Sequence, residues 1–180
     1  MKLAIHFPGI GYHVDKPLLY FSRKIAKQKG FDIIDVNYGG FDLDIKGDKE
    51  KMKEAFLSAL SQAEKILSDV DFTKYEDVVL FSKSVGTAVA GAYAIKHGIS
   101  SRNVFFTPVE QSFDVMKQPG IVFHGSSDPW LSHDIFMKKI KETDYPYYVI
   151  ENANHSLETG DVDLDIENLA KIMKAVEEYI

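Results

Sequence analysis

The sequence contains no cysteine, which excludes disulfides, thiolate metal sites and cysteine nucleophiles while leaving the redox compartment open. It also lacks any apolar run near the roughly 18 residues that a membrane helix requires. The opening stretch MKLAIHFPGIG carries one lysine and a short apolar run broken by His6 and Pro8. It has neither the apolar length nor the small-residue cleavage site of a secretory leader. A cytoplasmic protein without a membrane partner is expected. Positive charge is scarce too: 21 Lys and Arg stand against 27 Asp and Glu, a formal net charge of -6. That balance argues against nucleic acid as a partner, since phosphate contacts need a basic face. Internal repeats, linkers and low-complexity tracts are absent. What is there, 180 residues at 45% hydrophobic and 12% aromatic, suffices for one buried core and is short for two domains. A single domain over 1–180 is expected.

Two periodicities alternate along the chain. Short apolar runs at 3–7, 31–38, 77–81, 103–107, 120–125 and 145–151 read as strands. Amphipathic stretches at 17–29, 49–67, 85–96, 132–142 and 164–178 read as helices, with a shorter helical piece around 109–117. Strand–helix alternation of this kind predicts an α/β fold, a three-layer sandwich around a mostly parallel six-stranded sheet. Near-continuous apolar strands fit a sheet covered on both faces. Ligands of such folds bind outside the carboxyl ends of the strands, so chemistry is sought in the loops at 8–16, 37–48, 82–85, 107–109, 125–131 and 152–160.

The loop after the third strand reads FSKSVGT (81–87). A sharp strand-to-helix turn forces its apex residue into a strained conformation and requires small residues two before and two after it. With Ser84 at the apex the shoulders are Ser82 and Gly86, and both are small. With Ser82 at the apex one shoulder would be Leu80, a core residue. Ser84 is therefore either an exposed nucleophile or a helix N-cap. A serine nucleophile needs a base and a group that orients it. Of the six histidines, His6 and His124 fall inside strands, while His97 and His133 mark helix ends. His13 and His155 remain in strand-end loops, His155 within the turn-rich ENANHSLETGD. Asp128, in HGSSDPW, follows the fifth strand, where it is either the orienting acid or a turn aspartate before proline. Asp134 is a weaker rival, and Asp15 and Asp42 lie in other strand-end loops without an evident partner. Ser84, Asp128 and His155 occur in that chain order, each at the same predicted sheet edge.

On these residues the chain resembles a small member of the α/β-hydrolase superfamily over essentially its whole length. Ser82-Lys83-Ser84-Val85-Gly86 matches the nucleophile elbow Gly-x-Ser-x-Gly with serine for the first glycine. Gly125-Ser126-Ser127-Asp128-Pro129 corresponds to the acid loop and Asn152-Ala153-Asn154-His155-Ser156-Leu157 to the base loop. Pro8-Gly9-Ile10-Gly11 stands where the family carries a His-Gly-x-Gly oxyanion loop. The resemblance thus nominates the backbone N–H groups of Ile10 and Val85 as the oxyanion hole. The family's opening strand hairpin is missing, and only TPVEQSFDVMKQP fills the usual lid position, which implies an open, shallow site. Tyr12, Phe113 and Trp130 are candidates to line its mouth, and Lys83 is expected to point into solvent or the sheet edge.

The resemblance implies a serine hydrolase of carboxylesterase or thioesterase type. It would act on a small-molecule acyl substrate through an acyl-enzyme on Ser84, with no cofactor and no metal, as a monomer or homodimer. Two other classes compete. One is a non-catalytic binding protein that keeps the fold. The other is a nucleotide-binding domain, which Gly9-Ile10-Gly11-Tyr12-His13-Val14 suggests only in part, since Val14 stands where a third small residue belongs.

Overall fold

The computed structural model describes residues 1–41, 45 and 48–180. Its elements are β1 (Lys2–Phe7), α1 (Pro17–Gln28), β2 (Asp32–Asp35), α2 (Lys49–Ile66), β3 (Asp77–Lys83), α3 (Val85–His97), β4 (Arg102–Phe106), β5 (Gly120–Gly125), α4 (His133–Ile140), β6 (Tyr147–Ile150) and α5 (Val162–Tyr179). Short 3-10 turns occupy Phe72–Lys74 and Glu110–Asp114. The strands form one sheet in the order β2-β1-β3-β4-β5-β6. Every neighbouring pair is parallel, so all strand-end loops gather along one edge.

Strand alternation divides the core between the two faces. Ala4, Val79, Phe81, Val104, Phe106 and Phe123 pack against Leu18 and Leu19 of α1 and Ile172 and Val176 of α5. Leu3, Ile5, Val78 and Leu80 turn the other way, onto Ala59 and Ala63 of α2 and Val89, Ala90 and Tyr93 of α3. Farther along the sheet Phe105 and Val122 meet Phe136 and Ile140 of α4. The result is three layers, α1 and α5 on one side and α2, α3 and α4 on the other.

The termini of several elements depart from the sequence reading for local reasons. Helix α5 starts two residues early because Asp161 caps it, accepting the Leu164 N–H at 3.1 Å. Strand β2 is shorter than the apolar run that suggested it: it is an edge strand paired only with β1, and past Asp35 the Val36 N–H donates to the His6 carbonyl. At the opposite edge, β6 keeps Tyr147 and Tyr148 exposed.

Candidate active site

Ser84 is the single residue between β3 and α3, held at φ 57 and ψ -128, a region that costs a residue with a Cβ about 1–3 kcal/mol. Its N–H donates to the Phe106 carbonyl at 3.0 Å. It stands at the N-cap position of α3, yet its side chain does not cap the helix. The two small shoulders have different causes. Ser82 is fully buried, with its hydroxyl donating to the Val104 carbonyl at 3.3 Å. Gly86 is pressed on the chain leaving β1: an added Cβ would fall 2.3 Å from the Phe7 oxygen and 2.5 Å from that of Pro8.

The freed Ser84 hydroxyl meets His155. Oγ lies 2.7 Å from Nε2, and Nδ1 lies 2.7 Å from Asp128 Oδ2. With Asp128 ionised, Nδ1 carries the proton and Nε2 accepts from the serine hydroxyl. The second oxygen of Asp128 accepts the Trp130 N–H at 2.8 Å. The loops that bring these groups together are fixed independently. Asn154 Oδ1 accepts the N–H groups of Ser156 and Glu158, which shapes the turn around His155. Thr107, at φ 41 just after β4, donates its hydroxyl to the His155 carbonyl at 3.0 Å. Sequence reasoning missed Thr107; its one signal is a small polar residue in the loop after β4. The Trp130 ring stacks on the imidazole, centroids 5.6 Å apart.

Charge around the site is unusual for so buried a place. Burial pushes the Asp128 carboxyl up. The His155 hydrogen bond and charge, the Trp130 N–H and the Lys83 charge outweigh it and hold the group below its ordinary value. Lys83 does not point to solvent as the sequence suggested. It is 1% exposed, with Nζ 5.0 Å from the centre of the Tyr12 ring. Its position on β3 sends the side chain to the same covered face as Phe81. Burial lowers its pKa to about 7, with Lys16 acting in the same direction and Asp128 and Glu158 opposing.

His124 is also fully buried, stacked on Phe136 at 4.0 Å, and among the described residues neither ring nitrogen has a hydrogen-bond partner. Burial lowers its pKa to about 4; His133 and His155 reinforce that shift and Asp128 opposes it. Its folded-state value is thus below the unfolded one, so between pH 6.5 and pH 4 the unfolded chain binds a proton that the native chain refuses. Stability is therefore expected to fall as pH drops through that window, by at most about 3 kcal/mol from this residue. Urea midpoints measured across that window should show a shallower decline for His124→Phe. Equal pH dependence in the two proteins would sink the assignment.

The loop proposed for the oxyanion hole lies against the elbow: a Cβ on Gly9 would sit 3.0 Å from that of Ser84. The N–H groups of Ile10 and Val85 have no partner among the described residues. Beside this loop is a cavity of about 400 Å³ bounded by Pro8, Ile10, His13, Asn37, Tyr38 and Phe41. A larger one, about 830 Å³, opens at the amino ends of β5 and β6, around Gly120, Tyr145 and Tyr179. It contains no part of the Ser84–His155–Asp128 chain.

Two of the three aromatics expected at the mouth are elsewhere. Phe113 packs with Phe136 in the core and borders only the larger cavity. Tyr12 is 5% exposed, with its hydroxyl accepting the Leu18 N–H at 3.1 Å. Trp130 alone adjoins the site. Asp15 pairs with Arg23 at 2.7 Å, Asp134 lies in the first turn of α4, and Asp42 lies outside the described residues. Among the described residues no group of three or more His, Cys, Asp or Glu is arranged to hold a metal ion. No helix among them is long and apolar enough to cross a membrane.

No family model and no curated protein matches the sequence. Solved structures do match its fold. An α/β serine hydrolase homologue from Coxiella burnetii superposes with TM-score 0.69 at 14% identity, covering 97% of this chain and 84% of that one. The fold is the α/β-hydrolase fold. Est1E of Butyrivibrio proteoclasticus, in complex with ferulic acid, gives TM-score 0.71 at 13% identity over 99% of this chain and 88% of its own. XC6422 from Xanthomonas campestris, an α/β serine hydrolase without a lid, gives 0.64 at 10% identity, over 98% and 79%. In this topology Ser84 stands in the turn after β3, and Asp128 and His155 lie on the loops after β5 and β6.

Proposed function

We propose that the protein is a serine hydrolase of carboxylesterase or thioesterase type, cleaving a small ester or thioester through an acyl-enzyme on Ser84. The observation that carries this reading is the unbroken chain from Ser84 Oγ through the His155 ring to Asp128, each contact 2.7 Å. Ser84 Oγ attacks the substrate carbonyl carbon while its proton passes to His155 Nε2. The carbonyl electron pair moves to oxygen, facing the Ile10 and Val85 amides. On collapse the bond to the leaving alcohol or thiol breaks, and His155 returns the proton to that group. Water then repeats the sequence, with His155 as base, and releases the acid. Asp128 stays ionised throughout, orienting the ring and stabilising the imidazolium. Neither metal nor cofactor takes part in this scheme, and a cytoplasmic setting suits it.

The sheet order supports an assignment of the two halves of the substrate. His155 stands on the β5–β6 side of Ser84 and must protonate the leaving group, so that group lies toward Trp130. The acyl group then lies on the β1–β2 side, in the cavity of about 400 Å³ beside Tyr38 and Phe41. Among the described residues its lining has no Asp, Glu, Lys or Arg, and an uncharged, compact acyl group fits these residues. With p-nitrophenyl esters, kcat/KM is expected to be higher for acetate and butyrate than for palmitate; a preference for the long chain would contradict this assignment. The test of the reading as a whole is a fluorophosphonate probe on the folded protein. Labelling is expected at Ser84, and folded protein that stays unlabelled overturns the nucleophile.

A further inference from the structure

We propose that Lys83 is a positioning residue of this site: its buried ammonium, on the residue next to Ser84, opposes proton uptake by the Asp128–His155 pair. The inference rests on the hydrolase reading for its purpose, but on its own geometry for its substance.

Lys83 is the last residue of β3 and immediately precedes Ser84. Its side chain is enclosed on the α1–α5 face, beneath the Tyr12 ring, and among the described residues Nζ has no hydrogen bond or ion pair. The Tyr12 hydroxyl is engaged by the Leu18 amide, and Nζ lies over the face of the ring. A lysine so placed weakens the fold, because its ammonium is desolvated with only the face of the Tyr12 ring against it. An apolar side chain of the same length would fill the space better. The position is thus poor for stability and close to the chemistry.

The charged groups facing it define what it can do. They are Asp128 from the acid loop, Glu158 from the base loop and Lys16 from the segment before α1. A positive charge here attracts the Asp128 carboxylate, which is 4% exposed and would otherwise tend toward its neutral form. The same charge repels an imidazolium at His155. Both effects have one sign: the pair holds fewer protons at a given pH, so His155 remains a free base to lower pH. Lys16 adds to this field and Glu158 opposes it. Because Lys83 itself loses its proton near neutrality, the field is complete on the acid side, where protonation threatens the base, and relaxes above.

The test compares wild type with Lys83→Met, using Lys83→Gln as a second neutral variant and Lys83→Arg as the charged control. The His155 imidazole is titrated by NMR through its ring C–H signal, assigned with His155→Gln. In the neutral variants the His155 midpoint is expected to rise by roughly half to one pH unit, and Lys83→Arg to stay near wild type. The acid limb of kcat/KM should move with it, lowering activity at pH 5 by about three- to tenfold. Urea midpoints at pH 6 should rise for Lys83→Met as the buried charge is removed. An unmoved His155 titration in either folded neutral variant overturns the proposal. The NMR readout needs no turnover. A shifted midpoint in a protein that hydrolyses nothing would leave the role of Lys83 standing and remove the hydrolase reading, and normal turnover with no shift would do the reverse.

Discussion

Ser84→Ala and His155→Ala should each lower kcat/KM toward p-nitrophenyl acetate by about ten thousandfold or more, and the double variant should lose little further. The expectation follows from the serial arrangement of the contacts. A serine hydroxyl without Nε2 beside it keeps its proton and is a weak nucleophile; an imidazole without the hydroxyl has nothing to activate. Removing either group breaks the same step, so the two losses overlap. What survives is turnover from the oxyanion amides and substrate binding, which Ile10 and Val85 supply from the backbone and neither substitution removes. Losses that instead multiplied in the double variant would mean that Ser84 and His155 act in separate steps. Wild-type rates in Ser84→Ala would mean that this ester is cleaved without the nucleophile.

Gly125→Ala is expected to cost about 3 kcal/mol of stability and roughly a hundredfold in kcat/KM. Gly125 ends β5 just where the base loop crosses the acid loop. A Cβ there would sit 2.3 Å from the Ala153 oxygen and 2.5 Å from that of Asn154. These are backbone atoms one and two residues before His155, and they cannot rotate away. The loop must retreat by something like an ångström, stretching the contact between Nδ1 and Asp128. A displacement of that size in a catalytic contact is worth about two orders of magnitude. Gly39→Ala, where an added methyl meets nothing within 4 Å among the described residues, is the control for stability. Urea denaturation and steady-state kinetics read the two effects separately. A Gly125→Ala protein as stable and active as wild type would show that the two loops are not locked together there.

Much of this was legible in the sequence because the signals are local. Apolar runs such as LAIHF and DVVLF name buried strands by themselves, and their alternation with amphipathic stretches predicts the parallel sheet. The preference for Ser84 over Ser82 came from side-chain size alone, and the close approach of Gly86 to the Phe7 and Pro8 oxygens is the physical reason that size is informative. The illegible parts depend on what covers a residue rather than on the residue. Strand alternation puts Lys83 on the same face as Val79 and Phe81. Whether that face is open or roofed at this point depends on Tyr12, which belongs to a loop 71 residues earlier in the chain. A charged residue at a strand end reads as solvated until the roof is known. Phe113 fails for the complementary reason: its 3-10 turn directs the ring into the cluster around Phe136, and a short turn has no periodicity from which to read a direction. Thr107 makes its useful bond to the backbone of the His155 loop, a contact that no spacing announces.

The sheet order has a further consequence for a chain made from its amino end. Strands β1, β2 and β3 are neighbours in space as well as early in sequence, so the elbow can be complete while the ribosome is still adding residues. His155, the proposed base, arrives last, on the loop after β6, and meets Asp128 only once that loop crosses Gly125. Until then Ser84 has no proton acceptor and is an ordinary alcohol. On the proposed function, the nascent protein would carry its nucleophile without reactivity, and the last third of the chain would arm it.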